Sequence, residues 1–230
     1  MKEQMQENQA ATHENAGGLS RRKFLTYAGG LAGAGLLINS CKKSKDEVIS
    51  NGDVDLGTGD TGLLNFLFTI EQLNAAFYSK VMESPYSGMT GADASLLTDI
   101  KNHEIAHREF IKNHLTTSAI GPLEFNFNPI DFTKRDVVLG NAMMFKEYTV
   151  SAYNGVAAML VTQNNVLMTT KIASVEGRHA AIIRDLIQWG AFADTTDKNG
   201  ADTSKTPQEL LPVFQQYIKN KISGNNLPFN

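Results

Sequence analysis

Glu176 and His179, inside the apolar run Ala173-Ser174-Val175-Glu176-Gly177-Arg178-His179-Ala180-Ala181, constrain the fold of this chain more than any other feature. On an α-helix three residues turn about 300° and rise roughly 4.5 Å, so both side chains leave one face. The same spacing recurs at Glu104 and His107, within His103-Glu104-Ile105-Ala106-His107-Arg108-Glu109. Lone glutamates, Glu71 and Glu147, sit at similar depth in two other apolar stretches. With 12 Glu and 5 His in 230 residues, chance supplies about a quarter of one Glu-x-x-His pair. A buried, ionised and unpaired carboxylate costs several kcal/mol, so such a side chain is normally paired, protonated or bound to metal.

Apolar periodicity predicts four long helices. The first, capped by Asp60 or Thr61, runs to about Glu83 and turns Leu63, Leu67, Ile70, Glu71, Asn74, Phe77 and Val81 inward. Ser84-Pro85-Tyr86-Ser87-Gly88 breaks it. The second, from about Asp93 to Leu115, carries Leu97, Ile100, Glu104, His107 and Ile111 on one face, with His114 at the bundle end. Residues 116–132 lack a helical period and hold Gly121-Pro122 and Asn128-Pro129. Such a segment reaches roughly 56 Å, enough to return along a bundle, which predicts a parallel third helix. That helix is expected from a Thr133 cap with Asp136 to about Thr162, with an inner line of Gly140, Met143 or Met144, Glu147, Ser151, Asn154 and Ala158. A turn at Gln163-Asn164-Asn165 leads into an antiparallel fourth helix ending near Trp189, with Thr169, Ile172, Glu176, His179, Ile183 and Leu186 in line. Thr206-Pro207-Gln208-Glu209 is a capping box for a short helix to about Lys221, expected outside the bundle.

Interleaved Glu, Glu-x-x-His, Glu, Glu-x-x-His on four helices is the ligand pattern of carboxylate-bridged di-metal bundles. The expected ligands are Glu71, Glu104, His107, Glu147, Glu176 and His179, the glutamates of the Glu-x-x-His helices bridging. No inward Lys or Arg is expected to neutralise them, because Arg108 and Arg178 lie between ligands in the sequence and face away. Two divalent ions would balance the four carboxylates. Oxygen-rich ligation with two imidazoles suits two iron ions first, then manganese, and zinc less specifically. His103, next to Glu104, is expected to point elsewhere. One of Tyr78, Tyr148 and Tyr153 could donate to a ligand. No catalytic residue is assigned from the sequence.

Ser20-Arg21-Arg22-Lys23-Phe24-Leu25 opens an apolar, Gly-rich stretch to Ile38, the form of a signal peptide rather than a spanning helix. It resembles a twin-arginine export motif, centred on Arg21 and Arg22. Ile38-Asn39-Ser40-Cys41 resembles a lipoprotein cleavage box, with Cys41 the acylated residue. Cys41 is the only cysteine, which excludes an intramolecular disulfide and a thiolate metal site. The expected organisation is a signal peptide over residues 1–40, a lipidated cysteine and flexible tether over 41–60, the helical bundle over 61–190, and a loop and short helix over 191–230. Four of the 21 basic and three of the 24 acidic residues fall in 1–40, leaving 17 against 21 and no basic face for nucleic acid.

Three stretches carry a resemblance: Thr69-Ile70-Glu71-Gln72-Leu73-Asn74-Ala75-Ala76-Phe77-Tyr78, Phe145-Lys146-Glu147-Tyr148-Thr149-Val150-Ser151-Ala152-Tyr153-Asn154-Gly155, and the run around Glu176. Residues 62–190 resemble the ferritin-like domain of exported bacterial and desiccation-related proteins, with Gly177 standing where that family has alanine. The resemblance implies an all-α, ferritin-like four-helix bundle with one long crossover between helices 2 and 3, and a di-metal site. Two functions from different classes follow as expectations. One is a membrane-tethered di-iron protein acting on oxygen or peroxide, oxidising Fe(II) or removing peroxide as a manganese catalase-like centre would. The other is a non-catalytic envelope or stress-associated protein whose metal or carboxylate cluster only holds the bundle together. Expected partners are oxygen or peroxide and the membrane through Cys41, with a homodimer left open. Expected localisation is the cell envelope.

Overall fold

The computed structural model of the chain describes residues 53–194 and 196–228. Arg21, Arg22, Cys41 and the whole expected signal peptide lie outside the described residues. The elements in order are β1 (Val54–Asp55), α1 (Gly59–Glu83), α2 (Gly91–Leu115), a 3-10 turn (Thr116–Ser118), α3 (Arg135–Met159), α4 (Gln163–Ile187), α5 (Pro207–Gln215) and β2 (Ile222–Ser223). The four long helices form a bundle of two intimate pairs, α1 with α2 and α3 with α4. No helix among the described residues is long and apolar enough to cross a membrane.

The crossover does what its length predicts. His114 near the end of α2 hydrogen-bonds Asn165 at the start of α4, at 2.8 Å. At the other end, Ser87 N, before α2, donates to Thr133 O, before α3, at 2.9 Å. α2 and α3 therefore run parallel, and residues 119–134 travel the bundle length between them. Polar side chains of α1 hold this segment down. Asn65 Nδ2 donates to Ser118 O and Asn65 Oδ1 accepts from Ile120 N, while Gln72 Oε1 accepts from Leu123 N. Further along, Phe77 packs edge-on against Phe127 and Phe145, with Phe132 tilted beside it. α1 is accordingly buried almost all round rather than on one face.

Several boundaries differ from the sequence expectation, each through a competing hydrogen bond. Residues 54–56, expected within the tether, are packed: β1 pairs parallel with β2, and Leu56 is fully buried. Thr133 does not cap α3, because Asp131 takes both its N–H (3.0 Å) and its hydroxyl (2.6 Å), and Lys134 stands at the helix start. Gln163, Asn164 and Asn165 form the first turn of α4 instead of the connection. α4 stops at Ile187 where Gly190, at φ 86°, turns the chain and donates to Asp185 Oδ1. α5 keeps its capping box but ends at Gln215, whose side chain takes up Ile218 O, Asn220 O and Ile222 N. Residues 217–219 then bond to the crossover at Glu124 and Asn126. On the far side of α3, a Cβ at Gly155 would collide with the Lys205 carbonyl, so glycine lets the segment before α5 lie on the bundle.

Asp60 caps the α3–α4 connection from the first turn of α1. Its carboxylate accepts from Val161 N (2.9 Å), Thr162 N (2.9 Å) and Asn165 Nδ2 (2.8 Å). Burial pushes this carboxyl up, but those hydrogen bonds more than offset it and bring it from 3.8 to about 2. Asp60→Ala is expected to cost about 1–3 kcal/mol in urea denaturation. A depressed carboxyl stabilises above its unfolded value, so the Asp60 contribution is complete above pH 3.8 and disappears as pH falls through about 2. The wild-type and variant midpoints should converge across that window.

Candidate metal centre

Midway along the bundle, α1 supplies Glu71, α2 supplies Glu104 and His107, and α4 supplies Glu176 and His179. Glu71, Glu104 and Glu176 are fully buried, His179 is 3% exposed, and His107 is partly buried. The Glu-x-x-His spacing does what helix geometry requires, presenting carboxylate and imidazole to the same interior point on each helix. His107 Nδ1 lies 2.8 Å from Glu176 Oε1 and 3.8 Å from Glu71 Oε2. His179 Nδ1 lies 2.9 Å from Glu104 Oε1 and 3.6 Å from Glu176 Oε1. One ligand atom each from Glu71, Glu104, His107 and Glu176 falls within 4.8 Å of the others, a grouping that could hold a metal ion.

The donor atoms fit such an ion in a second way. Glu71 Oε2, Glu104 Oε1, Glu176 Oε1, His107 Nδ1 and His179 Nδ1 are all buried and lack a partner in hydrogen-bond geometry, despite these short separations. These atoms, brought together from α1, α2 and α4, lie close to one another without satisfying one another. A buried carboxylate so arranged is costly unless a cation completes it.

α3 behaves otherwise than expected. Its buried line is Leu139, Ala142, Phe145, Lys146, Thr149, Tyr153 and Val156, one residue's rotation away from the line through Glu147. Lys146 is therefore fully buried, its Nζ 2.6 Å from Glu104 Oε2 and 2.6 Å from Glu176 Oε2. The expectation that no inward cation faces these carboxylates is corrected by this residue. Glu147 does not join the cluster. Its Oε1 takes both Nε and Nη2 of Arg184, each at 2.6 Å, and Arg184 Nη1 reaches Phe192 O. Arg108 and Arg178 do face away, pairing with Glu109 and Ser174.

The electrostatics follow this arrangement. Burial raises the Glu71 carboxyl, and the neighbouring Glu176 and Glu104 push it further, well above the usual range. Burial also acts upward on Glu176, but the Lys146 ammonium and the His107 and His179 imidazoles overcome it and hold that carboxyl well below. Burial opposes the charge on Lys146, and Glu104 and Glu176 more than restore it, so the amine stays protonated. Tyr153 donates its hydroxyl to Glu71 Oε1, and burial raises that phenol well above its ordinary value. Tyr78 lies buried beneath Lys146, 5.6 Å from ring centroid to Nζ, while Tyr148 packs on Phe214.

His103 also differs from expectation. It is exposed on α2, yet its Nδ1 is 3.0 Å from His179 Nε2, so it orients that imidazole from outside. Burial, then His179 and His107, lower its pKa. The adjacency of His103 to Glu104 suggested divergence, but its ring lies within 16° of parallel to His107 and 12° to His179.

A family model described as a ferritin-like domain matches residues 59–189, more than half of the chain. Comparison with curated proteins finds no match. Glu147→Ala should strand the Arg184 guanidinium and cost about 2 kcal/mol, between the cost at a surface pair and at a buried one. Thermal melts of the purified protein check this. A loss no larger than that of an exposed Lys134→Ala variant would show that Glu147 is not holding Arg184.

Proposed function

The chain belongs to the ferritin-like domain family, and from that premise we propose that its bundle binds redox-active iron or manganese and acts on oxygen or peroxide at the cell envelope. The observation that carries this is the convergence of buried, unpartnered carboxylate and imidazole atoms from Glu71, Glu104, His107 and Glu176. Hard oxygen donors with imidazole suit iron or manganese, and zinc with less discrimination. When bound, such an ion supplies electron transfer and an open position for an oxygen-containing ligand, in Fe(II) oxidation or peroxide removal.

The chain's own residues would set up that chemistry. Glu104 and Glu176 would hold the ion between α2 and α4. Tyr153 fixes the free rotation of Glu71 through its hydroxyl. His103 fixes the ring plane of His179. The apolar layers above and below exclude bulk water from the carboxylates.

A second reading, a non-catalytic envelope or stress-associated protein, is favoured by one observation: Lys146 already neutralises part of the carboxylate charge without any metal. Metal content separates the two. The full chain, purified without chelator and reloaded with Fe(II) under anaerobic conditions, should retain metal by mass spectrometry and lose it in a Glu104→Ala/Glu176→Ala double variant. Loading to about 100 times Kd should stabilise the protein by about 2.7 kcal/mol. Less than about 0.2 ion per chain at that excess, far below the near-complete occupancy mass action requires, would leave the structural reading.

Export and anchoring rest on Ser20–Leu25 and on Cys41. Cys41→Ala should move the protein from the membrane fraction to the soluble fraction of fractionated cells. Unchanged membrane association would remove lipidation at Cys41 from the proposal.

A further inference from the structure

Three of the four long helices bring a carboxylate to the centre, and α3 brings an ammonium. Its acidic residues are Asp136 in the first turn and Glu147, and Glu147 is committed to Arg184. Lys146 Nζ touches the Oε2 atoms of both Glu104 and Glu176, the two carboxylates that the sequence pattern assigns to bridging a pair of ions. Their Oε1 atoms face the imidazoles instead. One side of each carboxylate is thus turned to a cation that the chain itself carries, and the other side to the space between the His Nδ1 atoms.

Formal charge makes the same division. With the carboxyls ionised and the imidazoles neutral, as ligation requires, Glu71, Glu104 and Glu176 contribute three negative charges and Lys146 one positive charge, leaving two, which a single divalent ion cancels. A second divalent ion would leave two surplus positive charges among side chains that are almost wholly buried. Uncompensated buried charge costs several kcal/mol per ion. Ligand supply agrees. The group Glu71, Glu104, His107 and Glu176 offers four donors for one ion. A second ion beside His179 would have only Glu104 and Glu176 besides it, both already shared.

We propose that the Lys146 ammonium occupies the second cation position, so that each chain binds one transition-metal ion, at Glu71, Glu104, His107 and Glu176, instead of a pair. This rests on the metal-binding reading above and specifies its nuclearity. Lys146 then acts as a fixed cation that orients the two central carboxylates, and His179 as their neighbour instead of as a ligand to a second ion.

The test counts ions and reads their coupling. The full chain is stripped of metal, reloaded with excess Mn(II) under anaerobic conditions and desalted. Mass spectrometry should find one Mn per chain, and electron paramagnetic resonance should show the six-line signal of an isolated ion. Lys146→Glu, produced with Mn(II) present throughout, supplies the missing α3 carboxylate and changes the formal charge from minus two to minus four. It should bind twice as many ions and give the broadened signal of a coupled pair. Two coupled ions in the wild type would overturn this inference while leaving metal binding intact. One ion in both proteins would also overturn it, because Lys146 would not be what excludes the second. No ion in the wild type would overturn both this inference and the metal-binding reading. Should Lys146→Glu fail to fold, the wild-type count and spectrum decide alone.

Discussion

The buried ammonium of Lys146, held at 2.6 Å from a carboxylate on α2 and another on α4, is the interaction on which the centre of this bundle depends. Burying a charged amine is expensive, and two carboxylates at hydrogen-bond distance are what make it tolerable. Without it, the fully buried Glu104 and Glu176 carboxylates would lose the ammonium that contacts both. α3, which lies against α4 and contacts α1, is thereby tied to both Glu-x-x-His helices. The same layer holds Glu71 to Tyr153 and Asn74 to Thr149, linking α1 to α3. Every long helix is therefore engaged at mid-height by polar side chains set between apolar layers. Such a layer fixes the relative heights of the helices more strictly than apolar packing does, because a shift of one turn would strand several charges.

The outer parts of the fold put this layer in place. The crossover must return along the bundle for α3 to run parallel to α2, and Asn65 and Gln72 of α1 hold it against the outer side of that helix. Asp60 at one end joins α1 to the α3–α4 connection. Tyr217 and Lys219, beyond α5, bond the C-terminal segment to the crossover. These contacts hold the two helix pairs in register, and the register sets which α3 residue meets Glu104 and Glu176.

The metal-binding reading and the structural one place the same residues in different roles. In both, carboxylates need cations. They differ in whether Lys146 is the only one. Glu71 Oε2, His107 Nδ1 and Glu176 Oε1 make no hydrogen bonds, and it is on these atoms that the metal-binding reading rests. Glu147, by contrast, has found its cation in Arg184 and so belongs to the stability of the α4 terminus.

The four long helices, the long crossover and the Glu-x-x-His pairs were legible in the amino-acid sequence, because helical periodicity over some twenty-five residues and a fixed i,i+3 spacing are local properties. The fourth carboxylate was not. Around Glu147, residues 143–149 read Met-Met-Phe-Lys-Glu-Tyr-Thr, apolar on both sides of the charged pair, so two helix faces about 100° apart compete. One signal did favour the other face: Leu139, Ala142, Phe145, Thr149, Tyr153 and Val156 form a more continuous apolar line than the one through Gly140, Ser151 and Asn154. Lys146 lies on it, and a lysine on an apolar face is ordinarily assigned to solvent. Only tertiary structure could reverse that assignment, by bringing Glu104 and Glu176 from helices far apart in the chain to one amine. The sequence determined that Glu71, Glu104, His107, Glu176 and His179 lie on helix faces turned into the bundle. Their pairing, with Lys146 inside and Glu147 turned to Arg184, was decided by helix rotation, which depends on contacts that exist only once all four helices have packed.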